Sequence, residues 1–296
     1  MSKDATSTTT RSYTIPISLI WYLKFLRALF PKSFRNQMLD IFFRPIPFPR
    51  PKREDEFYSK TEKIRFSVGE NLEAIAHIQG NKNHPKIVLI HGWSGRATQF
   101  YAMVPPLVEI GFCCISLTAP AHGELKGKYT HMLQFSDSLL EAERKWGPFE
   151  IAIGHSIGGL ACMNAIRQGL TLKGLVVLGS PSKIESVVED FVSNLTFSEE
   201  EVKLLLEDLR DRFTNDFHNF NAFKIAKNLD IPGLIVHDEN DLDVAIGEAK
   251  LTHENWKHSE FLETEGLGHR RILSDQKVIN KVLNFAKVTT KNEDMG

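Results

Sequence analysis

The stretch Gly154-His155-Ser156-Ile157-Gly158-Gly159 constrains this chain more than any other. An apolar run, Phe149-Glu150-Ile151-Ala152-Ile153, leads into it. A helical pattern, Leu160-Ala161-Cys162-Met163-Asn164-Ala165-Ile166, leads out. A Gly-x-Ser-x-Gly turn between a strand and a helix reverses the chain sharply and lifts the serine oxygen clear of the sheet. Glycines at 154 and 158 remove β-carbons that would collide in so tight a turn. The plainer alternative is a packing turn in a βα unit, and the strand–turn–helix context favours a nucleophile elbow over it.

A nucleophilic serine needs a base, and the base needs a group to orient it. Gly233-Leu234-Ile235-Val236-His237 reads as a buried strand followed by the acidic loop Asp238-Glu239-Asn240-Asp241-Leu242-Asp243. Phe261-Leu262-Glu263-Thr264 reads as a short strand followed by Glu265-Gly266-Leu267-Gly268-His269. Both loops fall at carboxyl ends of strands, the edge where open α/β sheets build their sites.

These residues carry a resemblance to the α/β-hydrolase fold superfamily, covering residues 62–288. The motifs are Leu89-Ile90-His91-Gly92-Trp93, Pro120-Ala121-His122-Gly123, the elbow, and the acid and histidine loops in that chain order. The resemblance implies a serine hydrolase of the carboxylesterase, lipase or thioesterase kind, with Ser156 as nucleophile and His269 as base. It aligns Asp241 with the acid of the His-Gly-x-x-Asp pattern, leaving Asp238 and Asp243 as alternatives. It also implies backbone oxyanion donors at Ile157 and Trp93, the Trp93 side chain being free to line the pocket. The fold it implies is a mostly parallel central sheet, helices on both faces and a small helical cap. Serine at the elbow argues against relatives that use an aspartate nucleophile.

Cleavage of a carboxylic ester or thioester through an acyl-enzyme is the leading expectation. Acyl transfer or carbon–carbon hydrolysis on the same triad, or a catalytically silent binding protein, are the alternatives. His91, His122 and His155 flank glycine turns and are expected to tie loops together. No spacing reads as a metal site, and the glycines lack the dinucleotide pattern, so neither metal nor cofactor is expected.

The layout is expected to comprise an arm and proline-rich linker over 1–60, a core over 61–180 and 229–290, a cap over 181–228, and a tail over 291–296. Residues 62–68 and 73–79 alternate like a hairpin, whereas 86–91, 112–118 and 173–179 read as strands buried on both faces. Helical patterns occupy about 97–110, 131–146 and 156–168. The cap holds a helix start at Ser198-Glu199-Glu200-Glu201, and Phe191, Leu195 and Phe197 as candidates for an acyl pocket.

In the arm, Leu19, Tyr22, Leu23, Leu26, Leu29 and Phe30 form one stripe, continued by Met38, Ile41 and Phe42. Lys24 to Arg53 carries eight basic residues against Asp40 alone, in a chain of net charge -1. Two roles follow: packing on the body, or peripheral contact of residues 19–53 with an anionic membrane. Lys24 and Arg27 interrupt the apolar run, so it is too short to span. The near-neutral balance gives no sign of a nucleic-acid partner; the expected partner is a small ester or acyl substrate. Cys113, Cys114 and Cys162 sit in apolar runs, which suits packing in a reducing, cytoplasmic setting.

Overall fold

Two alternating residues of one strand show how the sheet divides the molecule. In the computed structural model, which describes residues 15–213 and 217–291, Ile87 and Leu89 point into one core and Val88 and Ile90 into another. Such a strand must be apolar at every position, because both faces are covered. Residues 1–14 of the arm, 214–216 of the cap and 292–296 of the tail lie outside the described residues.

The strands are β1 (Glu62–Val68), β2 (Leu72–Gln79), β3 (Lys86–Ile90), β4 (Cys113–Thr118), β5 (Ile151–His155), β6 (Gly174–Leu178), β7 (Gly233–Asp238) and β8 (Ser259–Thr264). They form an eight-stranded sheet in the order β1-β2-β4-β3-β5-β6-β7-β8. β2 pairs antiparallel with β1 and β4, and every later pair is parallel. β1 has one exposed face and alternates in burial, as an edge hairpin strand does.

The helices are α1 (Ile17–Leu29), α2 (Pro31–Phe42), α3 (Asp55–Lys60), α4 (Val104–Glu109), α5 (Met132–Trp146), α6 (Ile157–Arg167), α7 (Ile184–Asn194), α8 (Glu199–Phe213), α9 (Ala222–Ala226), α10 (Ile246–Glu254), α11 (Gly268–Arg271) and α12 (Gln276–Lys291). α5, α6, α9 and α10 cover one sheet face through Phe135, Leu139, Met163, Ile225 and Ala249. α4 and α12 cover the other through Leu107, Val278, Val282 and Phe285. The helical pattern at 97–110 resolves into a 3-10 turn, Ala97–Phe100, and α4. Pro105 and Pro106 can sit at the start of α4 but not inside one longer helix. Cys113 and Cys114 point into opposite cores, and all three cysteines are free and buried.

A third core lies apart from the sheet, between the arm and the cap. Leu23, Leu26, Phe34 and Met38 of α1 and α2 are buried with Val188, Val192, Leu205 and Leu209 of α7 and α8. Of the arm's expected stripe, Leu19, Leu23 and Leu26 therefore pack on the cap, whereas Tyr22, Leu29 and Phe30 are exposed, because the helix turns them to its other side. The arm's charges follow: Arg35 grips Asp208 through Nε at 3.1 Å and Nη2 at 2.6 Å, and Arg27 pairs with Glu200 and Glu201. α8 starts as its sequence implies, with Glu201 reaching back to accept from the Ser198 N–H at 2.9 Å. The cap is tied to the body at the start of α7, where the Glu248 carboxylate accepts the N–H groups of Ser182 and Lys183 at 2.9 Å. Among the described residues no helix is long and apolar enough to cross a membrane.

Candidate active site

Ser156 sits between β5 and α6 with φ 54° and ψ -128°, a conformation that costs a non-glycine residue strain. The turn is held by close approach. A β-carbon on Gly154 would lie 2.5 Å from Gly159 Cα, and one on Gly158 would lie 2.5 Å from the His91 carbonyl oxygen. A third glycine, Gly92, brings its own turn against the serine, since a β-carbon there would lie 2.7 Å from Ser156 Cβ. The glycines thus pack the β3 turn onto the elbow and leave the Ser156 side chain facing a pocket.

Asp241 and His269 line the same pocket. His269 Nδ1 donates to Asp241 Oδ2 at 2.7 Å, because an ionised carboxylate can only accept. That assigns the proton to Nδ1 and leaves Nε2 as the basic nitrogen. Asp241 Oδ1 accepts the N–H groups of Asp243 and Val244 at 2.8 and 3.0 Å. Burial alone raises the Asp241 pKa. The His269 hydrogen bond and charge, with the two N–H donors, outweigh it and hold the carboxyl below its ordinary value.

The other two aspartates of the loop take different places. Asp238, fully buried, accepts from Thr264 Oγ1 at 2.8 Å, from the Leu267 and Gly268 N–H groups at 2.9 and 2.8 Å, and from Asn240 N–H at 3.1 Å. It binds the acid loop to the two residues preceding His269. The departure from His-Gly-x-x-Asp marks this position in the sequence, but its role appears only when β7 and β8 pair. Asp243 meets the acid through its backbone, its N–H donating to Asp241 Oδ1. Asp241, Asp243 and His269 have potential ligand atoms within 4.8 Å of one another, as a cation site would. Both Asp241 oxygens and His269 Nδ1 are already committed to hydrogen bonds.

Three buried histidines fix the surrounding loops. His91 Nδ1 donates to the Gly92 carbonyl and its Nε2 accepts the Ala119 N–H at 3.1 Å. His122 Nδ1 donates to the Pro120 carbonyl and its Nε2 accepts the Ser94 N–H at 2.9 Å. His155 Nε2 donates to the His269 carbonyl at 2.9 Å. Burial drives all three toward the neutral form, to about 4 for His122 and about 3 for His155. A neutral imidazole supplies one donor and one acceptor, which is what the His91 and His122 turns use.

Ile157 opens α6, so its N–H has no carbonyl partner within the helix. Trp93 also lines the pocket, its ring stacked 15° from parallel with Phe135. The cavity is about 820 Å³. Phe191 of α7 lines it, with its ring edge-on to Phe42 at 5.1 Å. Leu195 and Phe197 do not line it. Leu195 is buried in the arm–cap core and Phe197 packs on Phe34 at 5.2 Å, because the chain turns toward the arm after α7. Phe42 and Phe43 of the arm line the pocket instead. Sequence reasoning missed them, since the signal lies in a distant contact: the Phe43 carbonyl accepts the Thr130 N–H at 3.0 Å.

The sequence profile of the alpha/beta hydrolase family matches residues 87–280. The chain belongs to that family. The span runs from β3 through the elbow and both loops into α12. The chain is 25% identical over 167 residues to a serine hydrolase-like protein of Dictyostelium discoideum, covering 53% of this chain and 43% of that protein. The chain therefore spans less than half of that relative. An esterase from Rhodococcus superposes with a TM-score of 0.57 at 17% identity, covering 77% of this chain and 98% of its own. Mouse alpha/beta hydrolase domain-containing protein 10 superposes with a TM-score of 0.62 at 12% identity, covering 78% and 99%. At such identities the likeness is one of fold.

Proposed function

We propose that this alpha/beta hydrolase cleaves a carboxylic ester through an acyl-enzyme on Ser156, His269 and Asp241. The observation that carries the reading is the 2.7 Å bond from His269 Nδ1 to a buried Asp241, beside a strained Ser156 on the same pocket. Ser156 Oγ attacks the acyl carbonyl carbon while His269 Nε2 takes its proton. Asp241 holds the tautomer and stabilises the imidazolium. The tetrahedral oxyanion is received by the N–H groups of Ile157 and Trp93, and losing one such donor typically costs about 10²–10³ in rate. Collapse expels the alcohol, which takes the proton from Nε2. Water then repeats the sequence on the acyl-enzyme and releases the acid.

The pocket supports an acyl group of medium or greater length. Phe42, Phe43, Leu133, Phe191 and Phe213 give it an apolar wall drawn from arm, body and cap. A thioester would pass through the same steps with a thiol as leaving group.

Labelling with a fluorophosphonate probe tests this, comparing the wild type with Ser156→Ala. Labelling of the wild type only, together with turnover that rises along a series of longer acyl esters, is the expected result. Equal labelling of the two proteins would remove Ser156 as nucleophile. Labelling without turnover of any ester or thioester would send the reading toward acyl transfer or carbon–carbon cleavage.

A further inference from the structure

α1 is apolar on two sides, and among the described residues only one of them is covered. Its inner stripe, Leu23 and Leu26 with Leu19 beside them, packs on the cap. Its outer stripe is Ile17, Trp21, Phe25 and Leu29, spaced four apart and so aligned along one helix face. These side chains are 72%, 68%, 53% and 60% exposed. Tyr22 and Phe30 flank them, also exposed. A helix apolar all round is expected to be covered all round.

Charge identifies the occupant. From Ile15 to Leu39 the chain holds four basic residues and no acidic one. Arg27 and Arg35 are engaged with carboxylates of α8, which leaves Lys24 and Lys32 on the exposed side. Lys24 lies over the Trp21 ring at 5.8 Å, at the border of the apolar stripe. An apolar stripe holding an indole, flanked by a phenol and lysine and with no acid on α1 itself, matches the boundary between acyl chains and anionic headgroups. Two copies joined face to face would bring their lysines together. The helix has 13 residues, which gives about 20 Å, so it would lie along a bilayer surface and could not span it.

We propose that the outer face of α1 docks the protein on an anionic lipid surface. The arm that would touch lipid runs on through α2 to Phe42 and Phe43 at the pocket. An acyl substrate drawn from the bilayer would then reach the cavity along the same segment. That consequence rests on the proposed ester chemistry, whereas the docking does not.

The test is sedimentation of the full chain with vesicles of phosphatidylcholine alone or mixed with phosphatidylglycerol. The wild type should pellet with the mixed vesicles and less with the neutral ones. The double variant Trp21→Ser/Phe25→Ser should bind at least about tenfold more weakly, because it removes the centre of the stripe. Its melting temperature and its turnover of a soluble short-chain ester should match the wild type, since neither residue touches the pocket. Lys24→Glu/Lys32→Glu should lose the preference for phosphatidylglycerol. Wild type left in the supernatant with both vesicles overturns the proposal, and so does equal pelleting by the serine variant. A wild-type dimer that the serine variant abolishes, with no lipid binding, assigns the face to a second copy and also overturns it. Every readout of docking stands whether or not Ser156 proves to be the nucleophile.

Discussion

The elbow and the seam between arm and cap are both built from distant parts of the chain, but by different means. Around Ser156 the parts meet backbone to backbone. Gly92, Gly154 and Gly158 admit no β-carbon, and His91, His122 and His155 spend ring nitrogens on main-chain groups. At the seam, side chains meet side chains. Phe34 packs on Phe197, and Arg35 pairs with Asp208 across 173 residues. Backbone geometry demands particular residue types, so it leaves short signatures. An apolar seam accepts many residues of similar volume and leaves only a stripe.

The largest way to break the comparison lies in the acid loop, where three aspartates sit within six residues. Asp241→Asn is expected to lower kcat by about 10³–10⁴, because the amide favours the wrong imidazole tautomer. Asp243→Asn should retain most activity, since its tie to Asp241 runs through the backbone N–H, which the substitution keeps. Asp238→Asn should fall between them. It turns an acceptor for four donors into a mixed group, costing about 1–3 kcal/mol of stability and reducing kcat with little change in KM. Steady-state kinetics on one ester rank the three variants. Asp243→Asn losing more than Asp241→Asn would reassign the acid.

The same contrast explains what could be read in advance. The parallel sheet, the elbow and the candidate groups Ser156, Asp241 and His269 were legible because each carries a local constraint: a glycine turn, an apolar run or a polar loop after a strand. Phe42 and Phe43 were legible as a helical stripe only. Nothing near them in the sequence says that the stripe folds back over α7 and α8. Leu195 and Phe197 went astray for the same reason, since helical spacing shows that a face is apolar and not which neighbour covers it. Asp238 stood out as an acid where the resembling pattern has glycine, yet its partners come from a loop nearly thirty residues further on.

Phe34→Ala tests whether the seam is a unit. The ring is almost fully buried, so truncation is expected to cost about 3–5 kcal/mol of local stability. Because the sheet cores do not contain Phe34, the loss should fall on arm and cap first. Hydrogen exchange should rise in α1, α2, α7 and α8 before β3 to β7. Turnover of a long acyl ester should drop more than that of an acetate ester, as Phe42, Phe43 and Phe191 lose their support. Uniform exchange across both regions would show that seam and sheet unfold together.

Acid should strike the elbow side first. Beside the elbow, burial depresses His122 to about 4 and His155 to about 3. Such a histidine is neutral in both states above its ordinary pKa. As pH falls from about 6.5 toward 4, the unfolded chain binds a proton that the folded chain refuses, so stability is lost over that window. The cost is on the order of 1–2 kcal/mol per group at pH 5. Denaturant midpoints at pH 7.5 and 5.0 should show the fall, and His122→Asn should reduce it by one share. A flat profile would mean that these imidazoles are protonated in the folded protein.

Of the two regions, salt should act on the seam rather than the elbow, and weakly. Arg27 and Arg35 are partly exposed, with side chains 44% and 35% accessible, so each pair is worth about 1 kcal/mol or less. Arg35→Lys gives up the two-nitrogen grip on Asp208 and should destabilise slightly at low salt. At about 1 M salt the Debye length shrinks to about 3 Å, and the difference from wild type should narrow. The buried hydrogen bonds around Ser156 face no such screening, so the acid-sensitive step should keep its position. If salt instead moved that step, the histidines would be titrating in contact with solvent, and the separation between a backbone-built elbow and a side-chain-built seam would fail.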